Sequence, residues 1–159
     1  SYIKTFGIDA SIVRPFNNYG PRQNEGSYAG IIPITIKRIL NSEAPIIFDD
    51  GEQTRDFIYV KETADWTVEI YKSGKTRGEF INLASGMQIS VNKVINAICK
   101  ELDYKGEIEY KAKRAGDVRA HEGGVKVAEN LFEFALKTQF EEGIVPTINW
   151  YKKNIPDNR

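Results

Sequence analysis

The apolar pair Ile12-Val13 runs directly into the polar stretch Arg14-Pro15-Phe16-Asn17-Asn18-Tyr19-Gly20-Pro21-Arg22-Gln23. Consecutive apolar residues mark a strand buried on both faces, and such strands belong to parallel sheets covered by helices. A sheet strand over residues 10–14 is therefore expected, ending in a loop closed by Gly20-Pro21. In an open α/β sheet, ligands bind just beyond the carboxyl ends of the strands. Two adjacent amides beside two arginines are a heavy polar load for a plain turn. The amides supply donors, and the planar guanidinium suits phosphate. Asn17 and Asn18 have a second reading as ordinary turn residues.

The rest of the chain alternates short apolar runs with helical patterns, which argues for an α/β arrangement. A helix is expected over 27–40, with its regular part starting near Pro33, because proline is tolerated only in the first turn. Pro45-Ile46-Ile47-Phe48 is a strand stopped by Asp49-Asp50-Gly51. Residues 57–60 are extended, 61–72 helical, 79–83 a strand. The strongest signal is the helix over 90–102. Ser90 caps it, and Val91, Val94, Ile95, Ile98, Cys99 and Leu102 form one apolar stripe. Cys99 belongs to that stripe and reads as a structural thiol. A strand over 107–111 and helices over 125–131 and 140–154 complete the chain, which shows no repeat and no flexible linker.

Composition narrows the partners. Lys plus Arg and Asp plus Glu are both 22, so the net charge is zero. That argues against a nucleic-acid or membrane-surface partner, each of which demands a basic excess. One cysteine allows no internal disulfide and fits a reducing, cytoplasmic setting. One histidine and one cysteine cannot build a transition-metal site. No apolar run is long enough to span a bilayer.

Four motifs, in order, carry a resemblance. Arg14 to Arg22 resembles the loop after the sixth strand of the extended short-chain dehydrogenase/reductase family, the NAD(P)-dependent nucleotide-sugar epimerases, dehydratases and related enzymes. Gly51-Glu52-Gln53-Thr54-Arg55-Asp56-Phe57-Ile58-Tyr59-Val60 resembles that family's Gly-x-x-x-Arg-Asp-aromatic signature. Phe80-Ile81-Asn82-Leu83-Ala84-Ser85-Gly86 resembles its Tyr-Asn-Ile-Gly turn, and Arg114-Ala115-Gly116-Asp117 its Arg-x-Gly-Asp segment.

The resemblance implies a fold: the C-terminal portion of a Rossmann-type enzyme, a small mixed α/β substrate-binding lobe over residues 1–159. Residues 1–26 would form the last part of the parent sheet. It also implies site roles. Pro15 would lie beside the nicotinamide of NAD. Asn17 would hydrogen-bond the nucleotide-diphosphate sugar, and Ile31 would hold it through backbone groups. Ile46 and Phe48 would line the nucleobase pocket. Arg55 and Arg114 would meet the diphosphate, with Asp117 on a ribose hydroxyl. From the residues alone, Arg55 reads equally as an ion-pair partner of Asp56 or another neighbour, and Lys111 to Arg114 as a solvated charge run. Ile31 and Phe48 read equally as core.

The chain lacks the Gly-x-Gly-x-x-Gly turn that cradles cofactor phosphate, and no catalytic Tyr-x-x-x-Lys precedes Arg14. Tyr71 to Lys75 spells that pattern, but Gly74 stops the helix before both side chains share a face. The expectation is thus a piece of an NAD-dependent epimerase that oxidises a sugar at C4 and returns hydride after rotation, not competent by itself. A nucleotide-sugar 4,6-dehydratase is the alternative, and a non-catalytic nucleotide- or protein-binding module is the alternative from another class. Cut from its neighbours, the strand at 10–14 becomes an exposed edge. The chain is then expected to self-associate or to need a partner supplying the first half, and to bind no NAD alone. Two departures from the pattern concern packing. Glu133 stands where a glycine would cap a helix, and Pro146 should kink or delay the last one.

Overall fold

The protein is described by a computed structural model that covers residues 1–24, 26, 29–132 and 134–155. A short helix α1 (Tyr2–Phe6) ends at Gly7, whose φ of 65° is the left-handed cap that glycine adopts without strain. Strands β1 (Ile12–Pro15) and β2 (Asn17–Tyr19) follow. Helix α2 (Ile31–Leu40) starts at Gly30, so Pro33 lies in its first turn as expected. The earlier start at Ser27 falls outside the described residues. Next come β3 (Ile46–Phe48), β4 (Thr54–Arg55), β5 (Phe57–Tyr59) and α3 (Val60–Ser73). After them come β6 (Phe80–Leu83), β7 (Ile89–Ser90), α4 (Val91–Glu101) and β8 (Glu109–Lys111). Two helices close the chain, α5 (Lys126–Leu131) and α6 (Phe140–Asn154).

The strands pair two by two. β1 runs parallel to β6, β2 to β5 and β3 to β8, while β4 and β7 are antiparallel. Parallel pairing with helical crossovers is the arrangement the apolar runs imply.

The two best-patterned helices bury the faces their sequences prescribe. In α4, Val91, Val94, Ile95 and Ile98 are buried, and Ser90 Oγ accepts the Lys93 amide at 3.2 Å. Cys99 is only half-buried; burial still pushes its thiol pKa up, which leaves it a poor nucleophile. Helix α6 buries Phe140, Gly143, Ile144, Thr147, Ile148 and Tyr151, and it runs through Pro146 from its expected start. The expected delay does not occur. The Glu142 carboxylate accepts the Gln139 amide at 3.1 Å, and Thr147 Oγ1 donates to the Gly143 carbonyl at 2.7 Å within the same turns. Glu133 lies outside the described residues.

The main core joins β2, β5, α2, α4 and α6, with Ile36, Val94, Ile98, Ile148 and Tyr151 fully buried. Two long-range bonds tie its ends together. Tyr19 Oη donates to the Phe140 carbonyl at 3.3 Å, and Tyr151 Oη to the Gln23 carbonyl at 3.1 Å. Burial raises the Tyr19 pKa far above the usual phenol range, as an apolar surround disfavours the phenolate. A second cluster packs Ile58, Trp66, Ile70, Ile81 and Leu83 under β6.

Two local expectations are corrected. The strand at 10–14 spans Ile12–Pro15 instead; it pairs with β6 along one edge, and Ile12 on its face is 45 % exposed. Residues 17–19, read as loop, are a strand, since β5 offers them a parallel partner and Tyr19 fills the core.

Candidate nucleotide-binding cleft

A cleft of about 390 Å³ opens between α2, β3, the β4–β5 segment and the loop before α5. Asn17, Ile31, Phe48, Arg55, Arg114 and Asp117 all line it. These residues come from five separate stretches of chain, and the fold brings them to one place. Pro15 and Ile46 are not among the lining residues. Pro15 is exposed at the end of β1. Ile46 sits two residues behind Phe48, which along a strand is about 6.6 Å back from the cleft.

Arg55 is held before any ligand arrives. Its Nη1 donates to the carbonyls of Thr54 and Val118, each at 2.7 Å, and its Nη2 pairs with the Asp117 carboxylate. The ion-pair partner is thus Asp117 and not Asp56. Both side chains of the pair are largely buried, so solvent screens the charges weakly. The Arg114 guanidinium lies over the Phe48 ring, 3.7 Å from its centroid, a close cation–π contact. Arg55 and Arg114 carry two positive charges against the single negative charge of Asp117. The wall therefore offers an anion a net attraction, next to an aromatic face.

Asn17 donates its Nδ2 to the Asp56 carbonyl at 2.8 Å, which fixes the carboxamide at the cleft rim. The Asp49-Asp50-Gly51 turn is clasped to the far loop by Arg119, whose two Nη atoms meet the Asp50 carboxylate at 2.6 and 3.0 Å. Those hydrogen bonds hold the Asp50 pKa down at about 2.

Other predicted residues fall elsewhere. Asn82 is half-buried and braces a loop, donating to the Gly124 carbonyl at 2.9 Å. His121 is exposed and stacks on Phe16, centroids 5.0 Å apart. Gly74 takes a left-handed φ of 63° and ends α3, which leaves Tyr71 exposed and Lys75 outside the helix. Three contributors were not foreseen. Gln53 and Phe57 line the cleft, and Asp56 is fully buried directly behind it. Asp56 is marked in the sequence by the Arg-Asp-aromatic signature and by abutting the apolar triplet Phe57-Ile58-Tyr59. Among the described residues no cluster of His, Cys, Asp and Glu could hold a metal ion, and no helix is long and apolar enough to cross a membrane.

Residues 1–84 match the NAD dependent epimerase/dehydratase family. The chain belongs to that family. A UDP-glucuronate 4-epimerase of Thermodesulfobacterium geofontis is 35% identical over 161 residues, which cover 98% of this chain and 47% of the relative. The crystal structure of a UDP-glucose 4-epimerase from Thermotoga maritima with UDP-glucose superposes with a TM-score of 0.89 at 29% identity, covering 98% of this chain and 50% of that one. A UDP-glucuronic acid 4-epimerase mutant from Bacillus cereus, solved with NAD and a fluorinated UDP-sugar, gives 0.87 at 26% identity, with 96% and 48% covered. The relatives also include dTDP-glucose 4,6-dehydratases. The chain spans about half the length of the curated relatives it matches. Its mixed α/β fold is that of the Rossmann-type family members.

Family membership implies NAD, but this chain's own residues do not fit a complete NAD site. They supply one expected neighbour, the exposed Pro15, and no glycine-rich turn to receive a pyrophosphate.

Proposed function

We propose that this chain is the nucleotide-sugar-binding portion of an NAD-dependent nucleotide-sugar epimerase. The carrying observation is the convergence of Asn17, Ile31, Phe48, Arg55, Arg114 and Asp117 on one cleft. A nucleoside diphosphate presents a flat base, a ribose and about two negative charges. Phe48 offers the base an aromatic wall, Arg55 and Arg114 meet the charges as planar forks, and Asp117 accepts from a ribose hydroxyl. Asn17 and the backbone at Ile31 orient what lies beyond the diphosphate. The chemistry done here is positioning, which is a large part of a catalysed barrier. Hydride transfer at the sugar C4 needs NAD and an acid–base pair that this chain does not carry. Residues 1–26 act as the last strand layer of a larger sheet, and the exposed side chains of Ile12 and Phe80 on a sheet of only two strands support that reading. The partner on that edge is the cofactor-binding half.

Calorimetry on the 159-residue chain tests both parts. UDP-glucose is expected to bind. NAD is expected to bind no tighter than about 10 μM, some −7 kcal/mol. No UDP-glucose binding would remove the nucleotide reading, and tight NAD binding would remove the division of labour.

A further inference from the structure

Asp56 is fully buried, yet among the described residues it has no basic partner. Its carboxylate is filled by four donors instead. Oδ1 accepts the Ser85 amide at 2.8 Å and the Ser85 hydroxyl at 2.7 Å. Oδ2 accepts the Gly86 amide at 3.0 Å and the Gly123 amide at 3.1 Å. The backbone carbonyl of the same residue accepts both the amide and the Nδ2 of Asn17, at 3.2 and 2.8 Å. One residue thus gathers β2, the turn after β6, and the loop that runs from Arg114 to Gly123.

That loop brings Arg114 and Asp117 to the cleft, and Asp117 pairs with Arg55, the residue next to Asp56. The clasp is also tight. A Cβ on Gly123 would stand 2.2 Å from the Ala84 Cβ and 3.2 Å from the Phe16 ring, so the backbone can approach Asp56 only because position 123 has no side chain. A Thr54 amide bond to the Arg119 carbonyl at 2.9 Å holds the middle of the same loop.

We propose that Asp56 is the positioning residue of the nucleotide cleft: its buried carboxylate anchors the far end of the loop that presents Arg114 and Asp117 to the cleft. The inference rests on the nucleotide reading above. Asp56 touches no ligand and acts through the loop. Asparagine at 56 keeps the volume but offers one acceptor oxygen and two donors. It would turn N–H groups toward the Gly86 and Gly123 amides and release the loop.

The test is UDP titration of the 159-residue chain by calorimetry, well below the unfolding temperature, for wild type, Asp56→Asn, Arg114→Ala and the double variant. Asp56→Asn is expected to bind about 10-fold more weakly with an unchanged circular dichroism spectrum. The double variant is expected to bind no more weakly than Arg114→Ala alone, because residues acting through one element are not additive. Wild-type affinity in Asp56→Asn, or losses that multiply, would overturn the proposal. If Asp56→Asn does not fold, amide exchange in the wild type decides. A Gly123 amide protected before UDP is added supports the clasp, and exchange at the solvent rate overturns it. A wild type that binds no UDP removes this inference together with the nucleotide reading, whereas a wild type that binds beside an unaffected Asp56→Asn removes this inference alone.

Discussion

The first layer and the helical lobe of this chain treat apolar side chains in opposite ways. Around α1 and β1, Tyr2 is 71 % exposed, Phe6 68 %, and Ile12 and Phe80 about half, and α1 buries no residue at all. In the lobe of α2, α4 and α6, Ile36, Val94, Ile98, Ile148 and Tyr151 are closed off completely. Both regions follow their apolar patterns faithfully. The difference is that the lobe finds its counterparts within the chain, whereas β1 pairs along a single edge. Exposed apolar side chains beside an open strand edge are a surface shaped to be covered.

The largest expected effect sharpens this contrast directly. Ile98→Ala should cost about 2–5 kcal/mol in urea unfolding, through lost burial and a cavity. Ile12→Ala should cost under about 0.5 kcal/mol in the same chain, as an exposed change does. Equal losses would break the distinction between the two regions.

Next come the two arginines that line the cleft. Arg55→Ala or Arg114→Ala should weaken UDP-glucose binding by about 2–4 kcal/mol, the cost of stripping one partner from a largely desolvated charge pair. Lys72→Ala, on the outer end of α3, should leave the calorimetric affinity unchanged. Equal small effects at all three positions would return the cleft to ordinary solvated surface.

A third prediction concerns the open layer itself. Light scattering across a concentration series should reveal self-association, reduced by Phe6→Asp or Ile12→Asp. A clean monomer with slow amide exchange throughout residues 10–14 would show that the edge is protected within the chain.

The smallest effect lies on the cleft rim. The Asp50 pKa in the folded chain, about 2, is below its ordinary value of 3.8. The clasp to Arg119 therefore contributes fully above about pH 4 and fades as pH falls toward 2. The pair is exposed, so the change should be slight and further screened by salt. An NMR titration of the Asp50 carboxyl checks it; a midpoint near 3.8 would mean the clasp does not hold in solution.

Periodicity explains which parts of this arrangement could be read from sequence. The α4 stripe and the start of α6 were legible because their spacing is local. The cleft residues were legible through motifs, each a short string with its own composition. Contacts between strings were not. Nothing in Phe48 or Arg114 announces that one ring will lie under the other guanidinium. Asp56 looked like a candidate partner for its neighbour Arg55, when its real partners are amides at 85, 86 and 123. The strand at 17–19 was hidden because its three polar and aromatic residues become a strand only once β5 lies beside them.

The two tyrosine bonds that close the core also set a schedule. Tyr19 waits for Phe140, and Gln23 for Tyr151. At synthesis rates of about 5–20 residues per second, the roughly 120 residues between such partners take about 6–25 s to emerge. For about the last 80 of those residues β2 and β5 exist without α6, their shared aromatic surface bare to the cell. Contacts this distant in sequence also slow the final closure. Helix α6 is thus the element whose arrival covers the surface most exposed to aggregation and to chaperones.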